Sequence, residues 1–170
     1  MNKFHKDLEY SLEGREDKLF DSFYYATFPY LVNIELVEDL VLQKKGIDKI
    51  LHFDNGKQLL IDEKKRRKDY GDILLEEFSN YEKRKPGWLH RSKHTDYIVY
   101  AIMPSKKVFL LPFQLLWLAF SKNYIEWLNK YGRKFAVNNG YTTSNIPVPV
   151  EVLLSAIKKE ISTLFTQREY

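Results

Sequence analysis

The chain has 170 residues, enough for one domain with a full hydrophobic core, and with 44% hydrophobic and 15% aromatic residues it is too apolar to remain disordered. Lys and Arg outnumber Asp and Glu by 27 to 23, a net charge of +4 that permits a phosphate-backbone partner without demanding one. Cysteine is absent, which excludes disulfides and thiolate metal sites, and the N-terminus lacks an apolar signal-peptide core. The expectation is a soluble, cytoplasmic protein.

Taken in chain order, residues 15–44 read as helical. Leu19, Phe20, Phe23 and Tyr24, and later Leu36, Val37, Leu40 and Val41, recur at helical spacing. Pro29 lacks an amide donor and is expected to kink or divide this segment. Asn33 is a candidate cap for its second helix, and Gly46 a candidate stop. Two strands follow, Ile47–Phe53 and Lys57–Lys64, joined by the turn Asp54-Asn55-Gly56 into a hairpin.

Ile73–Ser79 reads as a third strand and Pro86-Gly87 as a loop. Asp96–Met103 and Lys107–Leu111 read as fourth and fifth strands around a turn at Pro104-Ser105. Pro112 stands where a helix over Phe113–Tyr131 could begin, with Gly132 to stop it. Residues 133–147 are predicted as loop or short strand. Residues 149–166 are predicted as an amphipathic helix with Val150, Leu153, Leu154, Ile157, Ile161 and Leu164 on one face. The longest apolar stretch, Val108–Phe120, contains Pro112 and Gln114 and is too short to span a bilayer, so no membrane partner is expected. The pattern predicts a single α/β (α+β) domain over residues 1–170, with a mixed central β-sheet of about five strands flanked by helices.

The hairpin gathers the candidate chemistry. Asp48 lies at the start of its first strand and Asp62 near the end of the second. Neighbouring strands run about 4.8 Å apart, so the two carboxylates can meet. Two carboxylates suffice for one hard cation, since Mg2+ keeps its other positions for water and phosphate oxygen. Lys64 is two residues beyond Asp62, on the same strand face. There it can orient or deprotonate an attacking water and offset charge in a phosphoryl transition state. Glu63 and Lys65 form a second acid-x-Lys pair on the opposite face, and a one-residue register difference separates the two readings.

Gln43-x-x-Gly46-Ile47-Asp48, the hairpin, and Asp62-Glu63-Lys64 together resemble the PD-(D/E)XK nuclease superfamily. The stretch Asp62–Asp72, and Gly87-Trp88 followed by Asp96-Tyr97-Ile98, is similar to uncharacterised phage and prophage members of that kind. The resemblance covers roughly residues 35–111, and Gly-Ile replaces the proline that often precedes the first acid. It implies a restriction-endonuclease-like core and Mg2+- or Mn2+-dependent hydrolysis of DNA. Asp48, Asp62 and Lys64 would be the catalytic residues, with Asp48 and Asp62 as metal ligands and Glu63 as the alternative to Asp62. A third carboxylate from the preceding helix is frequent in that superfamily. Asp39 and Glu35, one helical step apart, are candidates, with Glu38 on a neighbouring face and Glu76 on the third strand as another neighbour of the site. Dimerisation is common in the superfamily, although no interface is legible here. An inactive nucleic-acid-binding or assembly protein on the same fold is the competing reading.

Two basic runs, Lys64–Lys68 and Lys83–Lys85, the second followed by His90, Arg91, Lys93 and His94, are candidate phosphate contacts. Lys65, Arg66, Arg67, Lys68, Lys85 and Arg91 are the residues chosen. Trp88 could stack on an unpaired base, or anchor its loop to the core. His52, His90 and His94 have no coherent zinc spacing.

Overall fold

The computed structural model describes residues 18–90 and 93–164. It is mixed α/β and divides into two compact units. The first contains the chain up to Asp69 and Tyr97–Leu110; the second contains Tyr70–Asp96 and the chain from Leu111.

The first unit is built on a five-stranded mixed sheet. Helix α1 covers residues 18–27 among those described and buries Phe20 and Tyr24, one helical turn apart. Pro29 divides the segment, because the residue before a proline is driven out of helical conformation. Beyond it the structure corrects the helical expectation. Leu31–Leu36 is a strand, β1, and not the start of a second helix. That helix, α2, is only Leu40–Lys44, and its cap is Asp39, not Asn33: the Asp39 carboxylate accepts from the amides of Val41 and Leu42. Of the apolar residues that suggest an amphipathic helix, Leu36, Leu40 and Val41 face outward, 65%, 68% and 61% exposed, and Val37 is buried. Their helical period is one that no packing enforces.

β2 (Lys49–Phe53) and β3 (Gln58–Arg66) form the predicted hairpin, with Gly56 supplying the positive φ of the turn, +76°. The sheet order is β1-β2-β3-β6-β7, with β6 at Tyr97–Ile102 and β7 at Lys107–Pro112. β1, β2 and β3 are antiparallel neighbours, while β6 lies parallel to β3. A parallel pair needs a crossover, and the intervening chain leaves to build part of the second unit. Phe20 and Tyr24 pack with Leu31, Leu51, Ile61, Val99 and Ala101 as the core on one face of the sheet.

The second unit has its own antiparallel sheet, ordered β5-β4-β9-β8: β5 Lys85–Pro86, β4 Asp72–Asn80, β9 Tyr141–Pro149 and β8 Lys134–Asn138. The third strand expected from the sequence is β4, so it belongs to this sheet and not to the five-stranded one. Helix α3, Phe113–Tyr131, matches the expected bounds, and Gly132 follows it. Helix α4 runs Val150–Leu164 and buries Leu153 and Ile157. Residues 133–147, expected as loop or short strand, are largely a hairpin turning at Asn139-Gly140, where Gly140 has φ +84°. Among the described residues no helix is long and apolar enough to cross a membrane.

Candidate metal centre at a strand end

Strand register sets Asp48 beside Asp62. The β2–β3 pairing ends at Lys49 and Ile61, so Asp48 and Asp62 are the next residues at that same hairpin end. The backbone fixes this arrangement. The Asp48 amide donates to Ile61 O at 2.7 Å, and Asp48 O accepts from the Val37 amide at 2.9 Å. One Asp48 carboxylate oxygen accepts from the Glu63 amide at 2.9 Å. Asp48 is thus held at a fixed point just ahead of β2.

Asp62 is 1% exposed. Lys64 Nζ donates to its Oδ1 and also to Glu63 O at 3.2 Å. Asp62 Oδ2 has no hydrogen-bond partner among the described residues. Burial pushes the Asp62 carboxyl up to about 6; Lys64 opposes the shift and the adjacent Asp48 adds to it. Two facing carboxyls can hydrogen-bond only if one carries a proton. Otherwise they need a cation between or beside them, and Lys64 supplies that charge to one oxygen only.

On the opposite face of β3 the charged side chains are paired with one another. Glu63 accepts from the Tyr24 hydroxyl at 2.7 Å and pairs with Lys49 at 3.2 Å, while Lys49 also reaches Asp21 at 2.9 Å. Burial acts to lower Lys49, but Glu63 and Asp21 outweigh it and hold the ammonium charged. Burial and the Glu63 carboxylate push the Tyr24 hydroxyl far above its usual range. Lys65 lies over the Phe20 ring, 5.6 Å from its centroid. The alternation of β3 therefore separates the two acid-x-Lys pairs: Asp62 and Lys64 share a face, while Glu63 is committed to a helix-facing network. A cavity of about 240 Å³ opens beside Asp48, lined also by Asp21, Ile34, Leu36, Lys49 and Glu63. Asp62 does not line it.

The remaining sequence candidates are placed elsewhere. Asp39 caps α2. Glu35 lies on β1 and pairs with His52 at 2.7 Å, so Glu35 and Asp39 share no helix face, a second correction. Glu38 is exposed. Among the described residues no three His, Cys, Asp or Glu side chains gather as a metal group. Glu76 is on β4 in the second unit, where its carboxylate accepts from the Trp88 amide at 3.0 Å. Trp88 is buried and is no open stacking surface, as the anchoring alternative expected. Lys65, Arg67 and Lys68 are exposed and Arg66 is half-buried at the end of β3 and just after it; Lys85 is exposed on β5; Arg91 lies outside the described residues.

The residues present fit a hard divalent cation of limited demand. An orphaned buried carboxylate oxygen and a second carboxylate beside it match the one or two protein carboxylates that Mg2+ takes, with water filling the rest. They do not form an all-protein cage. Sequence reasoning missed Lys49, Tyr24 and Asp21, which fix the far face of β3; only tertiary contact identifies them. Comparison with known protein families, curated proteins and solved structures finds no match for this chain.

Proposed function

We propose that the chain is a divalent-metal-dependent nuclease that hydrolyses DNA phosphodiesters, built on a restriction-endonuclease-like core of the PD-(D/E)XK kind. The observation that carries this reading is the buried Asp62 oxygen without a donor, set beside a second carboxylate and a lysine at one strand end. Asp48 and Asp62 would hold Mg2+ or Mn2+, which when bound polarises the phosphate and lowers the pKa of its water. Asp48 is positioned by three backbone contacts, so it needs little reordering to act as a ligand. Lys64, whose ammonium donates to Asp62, is in place to orient the attacking water and offset charge gathering on the phosphate. Lys65, Arg66, Arg67 and Lys68 continue from the same strand and give the phosphate backbone a salt-dependent contact. Glu63 serves this site through its backbone amide, which donates to Asp48, while its side chain is engaged by Lys49 and Tyr24.

A second reading keeps the fold and the DNA contact without cleavage, and the near-complete burial of Asp62 favours it. One experiment decides between them. The purified chain is incubated with supercoiled, linear duplex and single-stranded DNA in Mg2+ or Mn2+, with calorimetric titration of each ion in parallel. Cleavage that EDTA abolishes, and that Asp62→Asn and Lys64→Ala each lose, is the expected result. No cleavage and no ion uptake, with DNA still bound, would establish the second reading.

A further inference from the structure

The second unit carries a cluster that the strand-end site does not use. Phe78, Tyr81 and Phe135 form a ladder of edge-to-face rings, with centroids 5.9 Å apart for Phe78–Tyr81 and 5.1 Å for Tyr81–Phe135. Phe78 on β4 and Phe135 on β8 both register with Ser144 of β9, so the ladder crosses three strands. Two arginines lie on it. The Arg84 guanidinium is 5.0 Å from the Tyr81 centroid and 5.4 Å from that of Phe78, and Arg133 is 5.9 Å from Tyr81.

The cluster is built and open at once. Arg84 has a positive φ of 52°, a conformation that disfavours a side chain, and the turn that imposes it is tied by Arg84 N to Tyr81 O and by Lys83 N to Asn80 Oδ1. Arg133 is held in place by two bonds to Glu77, at 2.7 and 2.8 Å. Phe135 is nevertheless 53% exposed, and all of β8 faces solvent. Lys83 and Lys85 flank Arg84, and both are exposed. Of the nearby acids, Glu77 pairs with Arg133, and Glu82 accepts from the Thr142 amide at 3.0 Å and keeps its negative charge, against the three exposed cations Lys83, Arg84 and Lys85. The surface thus offers ring faces, guanidinium planes and excess positive charge together.

We propose that this ladder on the second unit binds single-stranded nucleic acid, with unpaired bases stacking on Phe135 and the Arg84–Tyr81 stack and phosphates meeting Lys83 and Lys85. Aromatic rings accept any base face, and flanking cations track the backbone; that combination suits a single strand and not a duplex, whose bases are already stacked. The partner is identified by charge and stacking complementarity. Hydrolysis at Asp62 plays no part in this binding.

The test is fluorescence anisotropy of the full chain in EDTA, which stops any cleavage. The probe is a labelled oligothymidine of about 20 nucleotides, longer than the ~4–16 that one single-strand groove covers, with a duplex of equal length as competitor. The expected result is tighter binding to the single strand, weakened about 10-fold by Phe135→Ala. Phe135→Leu, which keeps an apolar side chain at this exposed site, should weaken it similarly. Arg84→Gly relieves the backbone and removes the cation, so it should fold well, weaken binding and reduce the salt slope by about 1. Unchanged affinity in Phe135→Leu and Arg84→Gly, equal affinity for duplex, or a dimer lost in Phe135→Ala with no oligothymidine binding would each overturn the proposal. Because no metal is present, such a failure would leave the Asp62 reading standing, and a failed cleavage assay would leave this one standing.

Discussion

Asp62 and Glu63 are consecutive on β3, and their environments are opposite. On one face Glu63 meets a lysine, a tyrosine hydroxyl and the core beneath α1, and it is satisfied. Burial still raises the Glu63 carboxyl, against the pull of Lys49 and Tyr24; on the other face Asp62 is more deeply buried, one of its oxygens has no donor, and Asp48 lies beside it. In the second unit Glu77 repeats the paired pattern, with Arg133, Tyr124 and Ser144 all donating to it, and its carboxyl is held below the usual range: burial works to raise it, but those hydrogen bonds outweigh burial. A buried carboxylate with full partnership is architecture. A buried carboxylate lacking one is the place to expect a missing ligand, because leaving such an oxygen unsatisfied costs about 1–3 kcal/mol or more.

That contrast can be broken or sharpened experimentally. The largest effect concerns activity. Lys64→Ala or Asp62→Asn should lower metal-dependent DNA cleavage by ~10²–10³-fold, the range for losing one preorganised charge-stabilising group, as followed by plasmid nicking. Glu63→Gln, which keeps the backbone amide that holds Asp48, should retain most of the rate; equal losses from Glu63→Gln and Asp62→Asn would erase the distinction between the two faces.

Stability should divide in the opposite sense. Glu63→Ala strips Lys49 of one buried partner and should destabilise the chain by about 3–5 kcal/mol, read from urea denaturation. Asp62→Asn should instead stabilise the metal-free protein at neutral pH. The Asp62 carboxyl titrates at about 6 when folded and at an ordinary 3.8 when unfolded. Between those values the folded state binds more protons, so stability falls as pH rises through the window, and the cost is fully present above pH 6. The difference between wild type and Asp62→Asn should therefore grow by on the order of 2–3 kcal/mol from pH 4 to pH 7. A pH-independent difference would show that Asp62 is not the strained acid. Saturating Mg2+ should recover stability in the wild type and not in Asp62→Asn; at a hundredfold excess over Kd the gain is about 2.7 kcal/mol, measurable as a shift in Tm. The smallest effect is Asp39→Ala, which removes a cap and should cost about 1 kcal/mol while leaving cleavage unchanged. A larger loss of activity would return Asp39 to the site.

Local chemistry made several elements legible. The Asp54-Asn55-Gly56 turn set the hairpin and so its register, and the hairpin brings Asp48 and Asp62 to one strand end. Helix α3 was bounded by Pro112 and Gly132, residues whose backbone restrictions act without tertiary help. The turn signal at Asn139-Gly140 is equally local and marks the β8–β9 hairpin, but Pro147 and Pro149 read against a strand. β1 was not legible. Leu31 and Ile34 are spaced as on a helix and Ile34 and Leu36 as on a strand, and only pairing with β2 selects the strand.

What the sequence by itself determined is the gathering of Asp48, just ahead of one strand, with Asp62, Glu63 and Lys64 on the strand joined to it, because turn chemistry and side-chain alternation are short-range. What only the tertiary structure decided is which acid is satisfied. Lys49, Tyr24 and Asp21 form the paired network on one face of β3 from positions 14 to 42 residues before Glu63, and β4 is drawn into a second sheet by pairing with β9, more than sixty residues downstream. Burial and long-range partnership distinguish Asp62 from its neighbour, and neither is encoded within a motif of three residues.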